Sequence, residues 1–246
     1  MKAGLKKLIF PTIAVFVILL SLVSFYIYKV NSEIKKMHST STQKITESIY
    51  CVNEVFVNTF FIKSNNYYIA IDAGNDPESL KKQMDTLNID PKNVRFVLLT
   101  HTDRDHVGGL SLFPNATIYL SKEEVQMIDG KTSRVLAFKN RLNRTYKTIN
   151  DNEVITFDHI SIKGILCPGH TPGSMSFVVN DSCIFTGDAL GLYSGKVSTF
   201  TKLFNMDTET QIKSISKVAM LGGIKHLYSA HHGYTDDFAN AFLDWK

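Results

Sequence analysis

The sequence predicts an α/β domain carried behind a single N-terminal membrane-spanning helix. Three observations predict it. Leu8 to Tyr28 is a 21-residue run without a formal charge. After residue 49, short β-rich runs alternate with helical stretches. Histidine and aspartate clusters then follow directly on apolar runs, the arrangement of loops at strand ends. The composition agrees: 246 residues, 44% hydrophobic and 20% charged, exclude a disordered or collagen-like chain and leave ample length for a core. Three cysteines are too few for a disulfide scaffold.

At about 1.5 Å per residue, the run LIFPTIAVFVILLSLVSFYIY reaches about 30 Å as a helix, the thickness of a hydrocarbon core. Pro11 falls in its first turn, where the missing N–H costs little. Tyr26 and Tyr28 suit the far interface. A cleaved signal peptide needs a shorter apolar region and a small-residue cleavage site, whereas this run ends in Phe25-Tyr26-Ile27-Tyr28. The expected order is a basic N-terminus over 1–7, an anchor over 8–28, a polar tether over 29–48 and a folded domain over 49–246. Lysines flank both ends of the span, and a single early span before a long domain reads as an export anchor, with the body extracytoplasmic.

The net charge of +4 belongs to this N-terminal segment. Residues 1–38 hold six Lys and one acid, Glu33, which leaves 21 basic against 22 acidic residues in the rest of the chain. The basic sign therefore points to anionic lipid headgroups and argues against a nucleic-acid partner.

Within the body, Val52–Ile62 and Tyr67–Asp72 read as paired strands around Ser64-Asn65-Asn66. Pro77–Leu87 reads as an amphipathic helix with Asp76 as N-cap. Arg95–Thr100 is an apolar run of the buried-strand type. Thr117–Leu120 and Ile160–Leu166 read as strands. Met175–Val179 and Cys183–Thr186 form a pair turned at Asn180-Asp181-Ser182. Thr208–Leu221 is a helix stopped by Gly222-Gly223. Residues 129–152, with six basic residues against two acids, read as a charged, solvated insertion or lid.

Five of the eight histidines fall in three clusters. Thr100-His101-Thr102-Asp103-Arg104-Asp105-His106-Val107-Gly108-Gly109 leaves a strand with four donors in six residues. These read as a converging loop, with glycines that admit close backbone approach. Cys167-Pro168-Gly169-His170-Thr171-Pro172-Gly173-Ser174 holds one His in a rigid turn. Ser229-Ala230-His231-His232-Gly233 is the third cluster, and Phe185-Thr186-Gly187-Asp188 ends a strand in a carboxylate. His with carboxylate is a donor set for Zn, Mn or Fe. His38, His159 and His226 stand apart and read as structural, and Cys167 reads as a buried free thiol.

Over roughly residues 50–240, THTDRDHVGG, CPGHTPGS, FTGD and AHHG resemble the metallo-β-lactamase superfamily of metal hydrolases. The resemblance implies a four-layer αββα sandwich with two divalent metals at one edge. By motif position, His101, Asp103 and His170 would bind the first, Asp105, His106 and His232 the second, and Asp188 would bridge both. Ile71-Asp72-Ala73-Gly74 matches a structural turn of the family. Most members carry His where this chain has Asp103, and an extra oxygen donor moves the preference from Zn, the default, toward Mn or Fe.

The implied chemistry is attack by a metal-bridging hydroxide, oriented by Asp105 as the catalytic carboxylate. Tyr193 and His231 are candidate substrate contacts. GHTPGS followed by MSFVV is similar to glyoxalase-type and lactonase-type members, which implies a small ester, thioester or lactone as the small-molecule substrate. Zinc β-lactamases proper carry Cys or His in place of a bridging Asp and fit less well. HxDxDH with HHG also resembles domains of DNA-uptake channels, a phosphodiesterase alternative that the near-neutral body disfavours. A non-catalytic metal-binding or sensing module is the third reading, opposed by a complete donor set.

Overall fold

A computed structural model describes residues 2–134 and 138–245, with side chains from residue 15 onward. The chain divides into two compact units, Met1–Met37 and His38–Lys246. The first is helix α1 (Lys2–Ile34), which continues past the expected end at Tyr28. Its stretch Val15–Ile34 is long and apolar enough to cross a membrane, a property that signal sequences share.

In the second unit, one sheet runs in the order β1 (Gln43–Lys44), β2 (Ile49–Glu54), β3 (Val57–Lys63), β4 (Tyr68–Ile71), β5 (Val94–Leu98), β6 (Thr117–Ser121) and β7 (Tyr146–Ile149). Its first four strands are antiparallel neighbours and the last three join in parallel. The second sheet is built from β8 (Val154–Phe157), β9 (Ile160–Leu166), β10 (Met175–Val179), β11 (Cys183–Phe185), β14 (His226–Ser229) and β15 (Gly233–Thr235). The ribbon β12 (Gly191–Tyr193) and β13 (Lys196–Ser198) stands apart from both sheets. Helices α2 (Pro77–Thr86), α3 (Arg104–Val107), α4 (Val125–Asp129), α5 (Thr208–Ala219) and α6 (Phe238–Ala241) complete the unit.

The alternation of side chains along a strand builds the layers. On β3, Phe60 and Ile62 face the second sheet and meet Phe177, Phe185 and Tyr228. Phe61, between them, faces outward onto Leu80 and Met84 of α2. On the far side, Ile215 and Val218 of α5 cover Ile184 and Leu227. The order helix, sheet, sheet, helix is the expected αββα sandwich.

Three elements differ from their sequence expectation. The run Val52–Ile62 is interrupted by a turn at Val55, whose φ of 63° is unusual for a β-branched residue, and so becomes the hairpin β2–β3. No Gly, Pro or Asn marks that turn. The tether expected over 29–48 is largely absorbed: α1 takes its start, and residues from Ser39 onward join the folded unit. Thr40 exchanges hydrogen bonds with the Asn58 side chain (2.8 and 2.7 Å), and β1 pairs with β2. The charged insertion 129–152 supplies β7, the edge strand of the first sheet, and residues 135–137 within it lie outside those described.

Candidate metal centre

The strand ends on one edge of the sandwich carry the donors. β5 leads to His101 and Asp103, β9 to His170, β11 to Asp188 and β14 to His231. Asp105 and His106 lie on α3, a single helical turn where sequence reading expected a loop. That turn docks by backbone on Ala73 and Gly74, through Gly108 N to Gly74 O and Gly109 N to Ala73 O (2.8 Å each). A Cβ at Gly108 would fall 2.0 Å from the Asn75 carbonyl oxygen, so only glycine permits this approach.

Two groups of donors form around Asp188. Its Oδ2 lies 3.3 Å from His170 Nε2 and 3.9 Å from His101 Nε2, and Asp103 Oδ2 closes that group at 3.1 and 3.5 Å from the same two nitrogens. Its Oδ1 lies 3.2 Å from His231 Nε2 and 3.6 Å from His106 Nε2, and Asp105 Oδ2 closes the second group at 3.4 and 3.8 Å. Donors bound tetrahedrally at about 2.0–2.2 Å stand about 3.4 Å apart, so both groups have the spacing of a metal position.

The histidine arrangement fits the same reading. His106 Nδ1 donates to Asp72 Oδ2 (2.8 Å), and His231 Nδ1 to the Phe56 carbonyl (2.6 Å). His101 Nδ1 meets Thr100 Oγ1 (3.0 Å), which in turn donates to Asp72. These bonds fix the tautomers and aim each Nε2 inward. The buried His101 Nε2, His106 Nε2 and Asp188 Oδ1 then have no hydrogen-bond partner among the described residues. Burial pushes the His170 ring down to about 4, against the pull of Asp188 and Asp103. Three carboxylates converge with these imidazoles, a donor set that could hold a cation.

One expected donor is corrected. His232 is outside both groups, and His231, expected only as a substrate contact, takes the place beside Asp105 and Asp188. The His232 ring instead packs on Tyr193, with centroids 4.4 Å apart, and on Phe200. Burial and neighbouring His231 push it down to about 4. Asp103, Asp105, His101, His106, His170 and Asp188 come together as expected.

Four residues around the donors escaped sequence reading as site residues. Asp72 was legible only as a turn residue, yet it orients two histidines. Glu124, fully buried, accepts from Thr102 N and Oγ1 and from Thr171 Oγ1 (2.7–2.8 Å), so it joins the loop of His101 to that of His170. Arg134 and Asn140, from the insertion expected to be solvated, both reach Asp103. A lone Glu at a helix start and an Arg in a basic stretch carry no signal by themselves.

Sandwich and donor cluster together define the class, a two-sheet αββα domain with histidines and aspartates gathered at one edge. Residues 52–224 match the family model of the Metallo-beta-lactamase superfamily, and the chain belongs to that superfamily. A relative named "Probable metallo-hydrolase" in Methanocaldococcus jannaschii is 28% identical over 152 residues, covering 62% of this chain and 64% of the relative. Hydroxyacylglutathione hydrolase of Brucella anthropi is 28% identical over 203 residues, 76% of this chain and 68% of the relative. The chain thus spans under two thirds of the archaeal relative's length. The solved Rm3 metallo-beta-lactamase superposes with a TM-score of 0.65 at 15% identity, covering 87% and 93% of the two chains, a likeness of fold.

Proposed function

We propose that this protein is a membrane-anchored, metal-dependent hydrolase that cleaves a small ester, thioester or lactone. The observation that carries the reading is the division of the donors by the two oxygens of Asp188 into two metal-sized groups. His101, Asp103 and His170 would hold one cation and Asp105, His106 and His231 the other. Zn is the default metal, and Asp103, an extra oxygen donor in place of the common histidine, moves the preference toward Mn or Fe. Two divalent cations, when bound, acidify water and act as Lewis acids toward a carbonyl. Asp105, a quarter exposed, orients the attacking water and accepts its proton at the carboxylate oxygen turned from His231. Asp72 and the Phe56 carbonyl keep the imidazoles in register. Tyr193, Phe200 and His232 form an aromatic wall suited to an uncharged acyl group. The acylglutathione named in the Brucella anthropi relative is a thioester, which supports this class. Residues 8–28 anchor the chain in the bilayer, with the body on the extracytoplasmic side.

A panel of p-nitrophenyl esters, thioesters, lactones and bis-p-nitrophenyl phosphate, run on the full chain in detergent with Zn, Mn and Fe, tests the substrate class. Acyl turnover well above phosphodiester turnover is expected, and the reverse order would reassign the protein to phosphodiesters. Failure to bind any of the three metals would overturn the enzyme reading itself. Protease treatment of intact cells is expected to degrade the body, and its protection would place it inside.

A further inference from the structure

Asp103, the donor that departs from the common histidine, is held by more than its histidine neighbours. Arg134 Nη2 lies 2.6 Å from Asp103 Oδ2, the same oxygen that faces His101 Nε2 and His170 Nε2. Asn140 Nδ2 donates to Asp103 Oδ1 at 3.0 Å and to Thr102 Oγ1 at 2.9 Å. The guanidinium is itself fixed: Nη2 donates to the His170 carbonyl (2.9 Å) and Nη1 to the Phe204 carbonyl. Both oxygens of the carboxylate are therefore engaged from the insertion that carries Arg134 and Asn140. Among the described residues, Asp105 and Asp188 have no such guanidinium or ammonium partner, and their close neighbours in this centre are imidazoles.

Charge decides what this does. Of the groups that face the donors, Asp103, Asp105 and Asp188 contribute three negative charges and Arg134 one positive, so a first divalent cation neutralises these four side chains, with Asp72 one step further out behind His106. A second must enter beside a fixed guanidinium, within a few Å in a poorly screened site, where like-charge repulsion is strong. We propose that Arg134 is a resident counter-cation of Asp103 that makes the two metal positions unequal. The Asp105/His106/His231 position fills first and tightly. The His101/Asp103/His170 position fills second and weakly, because its cation competes with Arg134 for Asp103 Oδ2. Arg134 is thus a positioning residue that sets metal occupancy, and the inference rests on the metallo-hydrolase reading above.

Isothermal titration of the metal-stripped full chain in detergent with Mn²⁺, with stoichiometry followed by elemental analysis and by electron paramagnetic resonance, tests it. Wild type is expected to bind in two resolved steps, with spin-coupled pairs of Mn²⁺ ions appearing only in the second. Arg134→Gln should tighten the second step by about tenfold or more and leave the first unchanged. Arg134→Lys, which keeps the charge, should retain two separated steps. Two equally tight steps in wild type, or a second step weakened or unmoved in Arg134→Gln, would overturn the proposal, and the wild-type titration decides even where the variant does not fold. Absence of any Mn²⁺ binding, with none of Zn²⁺, would instead remove the metallo-hydrolase reading on which it depends.

Discussion

His231 and His232 are neighbours in sequence with opposite surroundings. The chain leaves β14 so that one ring meets Asp105 and Asp188 while the next packs on Tyr193 and Phe200. His231→Ala should therefore lose about one metal per chain by elemental analysis, and His232→Ala should keep the wild-type content. Asp72 acts on two ligands at once, directly on His106 and through Thr100 on His101. Removal of an outer partner of this kind lowers metal affinity by about 10–100-fold, so Asp72→Ala is expected to reach at least that loss in a chelator competition assay. Six of the seven residues expected from short motifs come together at one edge, and His231 stands there where His232 was expected, because only the turn decides which of two adjacent rings points inward.

At the scale of elements, buried carboxylates hold the loops in place. Glu124 ties the His101 loop to the His170 loop through both its oxygens. Glu124→Ala leaves the buried Thr102 N–H unpaired, while Thr171 Oγ1 keeps Ser174 Oγ at 2.9 Å, and is expected to cost about 1–3 kcal/mol, read as a lower denaturation midpoint. Glu54, at the end of β2, accepts from Asn75 N and Asp76 N at the turn on which α3 docks. Burial raises it from 4.5 to about 7, against those two hydrogen bonds. The folded state then keeps its proton where the unfolded chain has lost it. Stability contributed by Glu54 is present below pH 4.5 and is lost as pH rises to about 7, a change of roughly 3 kcal/mol. Urea denaturation of the chelated protein at pH 5 and pH 8 checks this, and Glu54→Gln should flatten the difference. The helix Pro77–Thr86 and strands such as Ile160–Leu166 match their sequence expectation because periodicity and capping are local. The β2–β3 turn was invisible because Val55 adopts its left-handed conformation without a turn-forming residue.

At the scale of the whole molecule, the compact unit begins at His38, well before the boundary that composition suggested. Ser39, Thr40 and Thr42 bond to Asn53, Asn58 and Gln83, and Asn58 N in turn donates to the Ala230 carbonyl beside His231. A chain starting at His38 is expected to fold and bind metal free of detergent. One starting at Ile49 should melt several degrees lower, since it loses β1 and these bonds. Thermal denaturation of the two truncations separates the outcomes.

The sequence by itself determined the apolar span, the α/β alternation and the donor motifs, because each is written in contiguous residues with a characteristic period or spacing. Only the tertiary structure decided which of two adjacent histidines enters the centre. It also decided that Asp72 and Glu124 serve it from outside, and that a basic insertion delivers Arg134 to Asp103. Those facts depend on segments far apart in the chain meeting at one edge of the sandwich, and no local pattern encodes such a meeting.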